Sequence, residues 1–428
     1  MHITRSTAFV VDENCRVKIV SKGLLLGYGL FRYANLHIVG RLPVSDLLMM
    51  CALPIFSSRR LLREPMFLRL ALGFSLLLIG QVLSDYVNAT VPSDYLRGWA
   101  LIVVSFLVTA VLIDCLIKDL SALLFYLIGL AFLYALFINP LALEISQTDS
   151  NYFKIRYVPF CNVLILLAGW ALYKVKLKHA AYLLIAVYAV ACFYLDARAN
   201  GLIFLMSFVL LIGRSVLTRK RSANKIIMLL LVIGLGSLAY IGYVNAVLDG
   251  KIGGRNAQTQ ISAAKNPFNP FELLLIGRAD AFALVLAISD KPFLGHGSWG
   301  KDPEGKYTKR IVLRSNDLEY SGDDPGYIRA HSVILGFWAY AGLLGFFGVC
   351  VIYYFCFQLF KRIYFHAQDS GTLFIIVILS ADALWAAFFS PIQILRTSLP
   401  ILIALLLSED RRIRSSVGPP TLHRSSQN

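Results

Sequence analysis

The sequence predicts an all-α fold: a polytopic bundle of about twelve transmembrane helices with one long loop carrying an interfacial helix. Three observations predict it. Of the 428 residues, 57% are hydrophobic and only 15% charged, whereas soluble domains are about a quarter charged. Mean hydropathy is +0.67. The net charge of +16 comes from basic residues set in short clusters between apolar runs of about 17–25 residues, the length that spans a bilayer. A soluble enzyme and a disordered chain are excluded, and no nucleic-acid partner is expected.

Each run reads as a helix because backbone in lipid must satisfy its own hydrogen bonds. A weaker stretch, Leu24 to Val39, carries Arg32, and after Gly40-Arg41-Leu42-Pro43 a short one reaches Phe56. Clearer runs follow at 67–84, 98–117, 121–142, 158–173, 179–195, 200–217, 225–247, 331–360, 371–390 and 397–408.

Basic residues orient the runs. Alternate loops hold Arg59/Arg60/Arg63, Lys118, Lys174/Lys176/Lys178, Arg214/Arg219/Lys220/Arg221/Lys225, Lys361/Arg362 and Arg411/Arg412/Arg414/Arg424. The opposite short loops hold Arg97, Lys154/Arg156, Arg198 and Arg396. Eighteen against five puts the C-terminus in the cytoplasm. Twelve spans put the N-terminus there too; eleven would put it outside. Met1 to Lys22 is polar and lacks the order of a signal peptide, so no cleavage is expected. The chain divides into N-terminal transmembrane helices (1–247), an outer loop region (248–330), C-terminal transmembrane helices (331–408) and a polar cytoplasmic tail (409–428).

The outer loop is polar but nearly neutral, with eleven Lys/Arg and ten Asp/Glu. Within it Phe271 to Ser289 is an apolar stretch interrupted by Glu272, Arg278 and Asp280. Pro270 favours a helix start there, and the stretch reads as one helix in the membrane interface. It runs into Asp290-Lys291-Pro292 and the turn Gly295-His296-Gly297-Ser298-Trp299-Gly300. The seven cysteines show no CxxC spacing, so neither a disulfide nor a metal site is expected. Asp323-Asp324 reads as a solvated turn, and the Asn88-Ala89-Thr90 sequon carries no weight.

Several side chains have two readings. Arg198, in the tight connection Asp196-Ala197-Arg198, is a snorkelling arginine or local partner of Asp196, or an anion clamp whose guanidinium forks onto phosphate. Arg278, mid-way along the interfacial helix, is a solvated residue or a second cation facing the same anion. His331 begins a span, where the helix dipole favours neutral imidazole. It is a packing residue or a general base. His296, between two glycines, is a weaker rival. Asp382 lies inside a span and Arg396 enters the next, and the two read first as a structural pair.

Asp196-Ala197-Arg198-Ala199, then Gly277-Arg278 through Asp290-Lys291-Pro292-Phe293-Leu294-Gly295-His296-Gly297, then Ala330-His331-Ser332 followed by Ala341-Gly342-Leu343-Leu344-Gly345 resemble the O-antigen ligase and polymerase superfamily of bacterial envelope glycosyltransferases. The resemblance covers roughly 190–350. It implies a helical bundle with a periplasmic loop, in the bacterial cytoplasmic membrane. Arg198 and Arg278 would hold the pyrophosphate of an undecaprenyl-pyrophosphate-linked oligosaccharide, and His331 would activate the acceptor hydroxyl for inverting transfer without metal or cofactor. Many relatives carry Asn and Glu where Ser332 and Tyr340 stand, and a hydrophobic residue at His296.

The acceptor is another lipid-linked glycan (polymerase, favoured by His331-Ser332 and the 295–300 turn) or lipid A-core (ligase). A chain-length regulator is a further partner in the polymerase reading. A flippase of the same lipid would show charged residues along the bundle and two similar halves, neither of which is evident. A scaffold would not need Arg198, Arg278 and His331 at one level.

Overall fold

The computed structural model describes residues 3–37, 41–56, 64–138, 150–217, 222–307, 309 and 326–416. The basic residues Arg59, Arg60, Arg63, Arg219, Lys220, Arg221 and Arg424, and the Asp323-Asp324 turn, lie outside the described residues. The protein is mostly helical. Five helices among the described residues are long and apolar enough to cross a membrane: Pro65–Val87, Pro92–Lys118, Val333–His366, Gly371–Phe389 and the segment Ile392–Ser416.

Helix α1 (Ile3–Leu30) extends well before the expected weak stretch and stops inside it. The Leu24–Val39 stretch is therefore not a continuous span. A two-stranded antiparallel hairpin follows, β1 (Asn35–His37) with β2 (Arg41–Pro43), a small exception to the all-α expectation. The Asn35 side chain donates to the Tyr33 carbonyl at 2.9 Å, a local turn that competes with helix continuation. Pro43 has no N–H for the ladder, and its φ of −60° leads into α2 (Val44–Cys51). With α3 (Leu53–Phe56), α2 forms a short broken return.

Helices α4 (Pro65–Val87) and α5 (Pro92–Lys118) each carry proline in the first turn, where a missing N–H costs nothing. On α4, Leu68, Leu72, Ile79 and Leu83 are exposed while Leu70, Phe74 and Leu77 are buried. One helix with an apolar face on each side, one packed and one bare, is what a lipid-facing helix requires. Next come α6 (Ala122–Leu136), α7 (Ser150–Arg156), α8 (Val158–Lys174), α9 (Lys178–Tyr194), α10 (Arg198–Leu217) and α11 (Ser222–Leu248).

The loop region carries α12 (Arg255–Ala263), α13 (Pro270–Ile276) and α14 (Ala279–Asp290). The single interfacial helix expected over 271–289 is thus broken. Arg278 leaves helical geometry at φ −135°, ψ 42°, directly after Gly277. Helices α15 (Val333–His366), α16 (Gly371–Phe389), a 3-10 turn (Ile392–Leu395) and α17 (Ser398–Ser416) complete the chain. Leu399 to Leu407 of α17 are buried all round, so this helix is the bundle's core.

Small residues let backbones touch where α4 crosses α15. A Cβ on Gly80 would stand 2.7 Å from the Gly345 nitrogen, and one on Gly348 2.6 Å from the Leu77 nitrogen. The run 331–360 is not one unbroken helix: Gly342 adopts φ 65°, ψ −160° inside α15. The turn after α14 docks into that break. His296 and Gly297 donate backbone N–H to the carbonyls of Ala339 (2.8 Å) and Tyr340 (3.0 Å), and Leu343 donates to Phe293 (2.9 Å). Gly295 has φ 73°. A Cβ on it would lie 2.6 Å from the Gly342 nitrogen. Two glycine motifs 47 residues apart in sequence are therefore one interlock.

Candidate functional site

The elements around residues 198, 278 and 331 meet at one end of the bundle. Helix α9 closes with a Schellman cap: Ala197 N–H bonds the Cys192 carbonyl at 2.8 Å, and Asp196 takes the left-handed conformation at φ 59°. That reversal makes Arg198 the first residue of α10. Its Nε lies 3.0 Å from Asp196 Oδ1, and its Nη1 donates to Gln260 Oε1 at 3.0 Å. The local pair with Asp196 is thus present, and Gln260 holds the far side of the guanidinium.

Gln260, on α12, links the two arginines. A Cβ on Gly277 would stand 3.1 Å from the same Gln260 Oε1, so the break before Arg278 is pressed against the group that holds Arg198. The Arg278 guanidinium sits 5.3 Å and 5.6 Å from the ring centres of Trp385 and Phe389, at the end of α16. Such stacking orients a guanidinium while leaving its N–H fork in plane for an anion. Burial lowers the Arg278 pKa, Asp280 opposes that and Arg198 reinforces it.

His331 directly precedes Ser332, the N-cap of α15, whose hydroxyl accepts from Leu335 N–H at 3.2 Å and donates to the Ala387 carbonyl at 2.9 Å. Ser332 thus fixes His331 against α16. Tyr340 pins the approaching loop through a 2.5 Å bond from its hydroxyl to the Ile328 carbonyl. His331 Nε2 lies 3.9 Å from Asp280 Oδ2, too long for a direct hydrogen bond but close enough for electrostatic coupling. The imidazole is 40% exposed and the carboxylate 16%. Asp280 Oδ1 is buried and has no hydrogen-bond partner among the described residues.

Burial lowers the His331 pKa; Asp280 raises it, and Arg278, Arg329 and Lys154 lower it further. Burial and the surrounding cations thus push the imidazole toward the neutral form, the same direction expected from the helix N-terminus. Lys154, on α7, also couples to Arg278, Asp196 and Arg198. It is solvent-exposed, yet protein around it lowers its pKa first by desolvation and then through Arg278. Lys154, Asp280, Gln260, Trp385 and Phe389 were not singled out by sequence. Lys154 carried a signal as a cation on the side poor in basic residues, and Asp280 as a charge interrupting an apolar stretch.

The remaining sequence candidates lie apart from this cluster. His296 Nε2 is 2.8 Å from the Ala287 carbonyl, closing the last turn of α14, and its ring meets Tyr307 edge-on at 5.7 Å. Burial lowers its pKa. Arg396 does not pair with Asp382. It bonds Asp46, in the first turn of α2, because the hairpin brings that turn beside the 3-10 segment. Asp382 instead accepts from Ser398 Oγ at 3.0 Å. Asn88 of the sequon is a structural clasp: its amide donates to the Gly295 carbonyl at 3.0 Å and its Oδ1 accepts from Lys291 at 2.6 Å.

All seven cysteines are free thiols. Among the described residues no three His, Cys, Asp or Glu side chains gather as a metal site. The arrangement can neutralise a polyanion with fixed cations and can accept a proton at a neutral imidazole beside them. No protein-family model, no curated protein and no solved structure matches the chain.

Proposed function

We propose that the protein is a membrane glycosyltransferase that takes glycan from an undecaprenyl-pyrophosphate-linked donor, polymerising repeat units of O-antigen or exopolysaccharide. The observation that carries this reading is the convergence of Arg198 and Arg278, joined through Gln260 and Gly277, beside His331, which lies 3.9 Å from Asp280 and is pushed toward the neutral form by burial. The arginines take the donor's diphosphate. The acceptor hydroxyl oxygen attacks the anomeric carbon, its proton passes to His331, and the bond from that carbon to the phosphate oxygen breaks. Configuration inverts, and the lipid diphosphate leaves with its charge on Arg198, Arg278 and Lys154.

In this reading the cluster faces the periplasm, the chain crosses the bacterial cytoplasmic membrane about twelve times, and both termini are cytoplasmic. Two ion pairs and a cation–π contact support the first two passes. Lys22–Asp119 at 3.6 Å sets α1 beside the α5–α6 turn, Arg396–Asp46 sets α2 at the far end, and Lys118 over Phe56 brings α3 back.

The test supplies purified protein with a lipid-linked oligosaccharide pool and follows released undecaprenyl pyrophosphate and glycan length. Polymer from the wild type, lost in His331→Ala and Arg278→Ala at unchanged expression, supports the polymerase. Transfer only to added lipid A-core makes it a ligase. Lipid crossing liposome membranes without transfer overturns the enzyme reading in favour of a flippase.

A further inference from the structure

At the end of the bundle opposite His331, a cavity of about 510 Å³ opens between the start of α4, the second half of α15 and the second half of α17. Four arginines line it, Arg69, Arg362, Arg411 and Arg414, against two carboxylates, Glu64 and Asp410. Buried Asp410 holds Arg362 at 2.8 Å and Arg414 at 2.6 Å, and Glu64 holds Arg411 at 3.4 Å. The carboxylates orient three guanidinium groups and leave the cavity positive. Arg69 meets only the Met66 sulfur, at 3.9 Å, among the described residues. Pro65, Met66 and Leu407 supply an apolar wall.

We propose that this cavity binds a phosphate ester, the headgroup phosphate of an anionic membrane lipid. Arginine forks match phosphate oxygens in geometry, and the volume is that of a small-molecule site. The source is argued from position. Leu68 and Leu72, each 55% exposed, start a bare apolar stripe on α4 directly beside Arg69, where acyl chains would lie. The cavity thus joins a cationic headgroup site to a lipid-facing wall at the level where three membrane-crossing helices end. It does not depend on the chemistry proposed for the other end.

The full chain, delipidated in detergent, is titrated with phosphatidylglycerol, phosphatidylcholine and inorganic phosphate, with bound ligand read by native mass spectrometry. Phosphatidylglycerol binds and phosphatidylcholine does not. Arg69→Gln, which breaks no ion pair to a described carboxylate, weakens phosphatidylglycerol about tenfold, as loss of one charge-assisted contact should. Arg97→Gln, at the other end, leaves it unchanged. Should Arg69→Gln not fold, Arg411→Gln is read the same way. Displacement of the lipid by inorganic phosphate supports phosphate recognition, and phosphate binding without any lipid binding assigns the site to a soluble phosphate. Equal binding of the two lipids, or wild-type affinity in folded Arg69→Gln, overturns the proposal.

Discussion

Arg396 and Arg278 stand at the same end of the bundle and have opposite fates. Arg396 is 18% exposed and is closed onto Asp46, itself 3% exposed, with the Arg41 carbonyl behind it. Arg278 lies against two aromatic rings, and the carboxylate that acts on it, Asp280, also faces His331. A guanidinium that meets a buried carboxylate completes an ion pair and spends its hydrogen bonds on the fold. One that meets a ring is oriented but keeps its donors. The difference teaches that an arginine at a membrane edge is informative only once its partner is known.

The largest expected effect breaks the closed side of this comparison. Asp46→Ala leaves a buried guanidinium without its counter-ion and costs about 3–5 kcal/mol of stability. Thermal unfolding in detergent reads it. Asp382→Ala, which loses one bond from Ser398, costs less; the reverse ranking would show that the pairing is misassigned.

The mistaken Arg396–Asp382 pairing shows where sequence reasoning stops. Asp382 lies inside one span and Arg396 enters the next, so proximity in sequence favoured them, but Asp46 arrives through a hairpin that hydropathy does not reveal. The membrane-embedded, helical character was legible because apolar runs of spanning length leave few alternatives. The motif pieces at 295–297 and 341–345 were legible as fragments, while their interlock was not, since a backbone-to-backbone contact leaves no trace in sequence except glycine. Trp385 and Phe389 were hidden for another reason: aromatic residues at a span's end are ordinary membrane-interface anchors. Asp280, two residues beyond Arg278, was visible as a charge, but its approach to His331 crosses half the loop.

On the open side, His331→Ala lowers transfer by about 10²–10⁴, the usual contribution of general acid–base catalysis. The unfolding midpoint stays near wild type, because the side chain is 40% exposed. A large fall in midpoint would instead make His331 a packing residue. Arg278→Lys is a finer cut. Lysine keeps the charge but loses the planar fork that Trp385 and Phe389 orient, so the rate falls about tenfold, and Arg278→Gln, without charge, falls by about 10²–10³. Equal rates for the lysine variant and the wild type would mean that the aromatic contact orients nothing.

The smallest effect is a shift rather than a loss, and it tests how the cluster sets its base. Burial and the neighbouring cations hold His331 below the ordinary histidine pKa, so the neutral form persists to lower pH than in a free imidazole. Transfer should therefore fall only as pH drops through that lowered pKa. Asp280 works in the opposite sense, favouring the imidazolium. Removing its charge in Asp280→Asn moves the acid limb of the rate profile to lower pH. Lys154 disfavours the imidazolium, so Lys154→Met moves the limb to higher pH. Opposite displacements in two variants of one protein are difficult to produce by misfolding, which would depress the rate at every pH. If both limbs move together, or neither moves, the titrating group lies elsewhere and His331 loses its claim to the proton, even with the arginines still holding the anion.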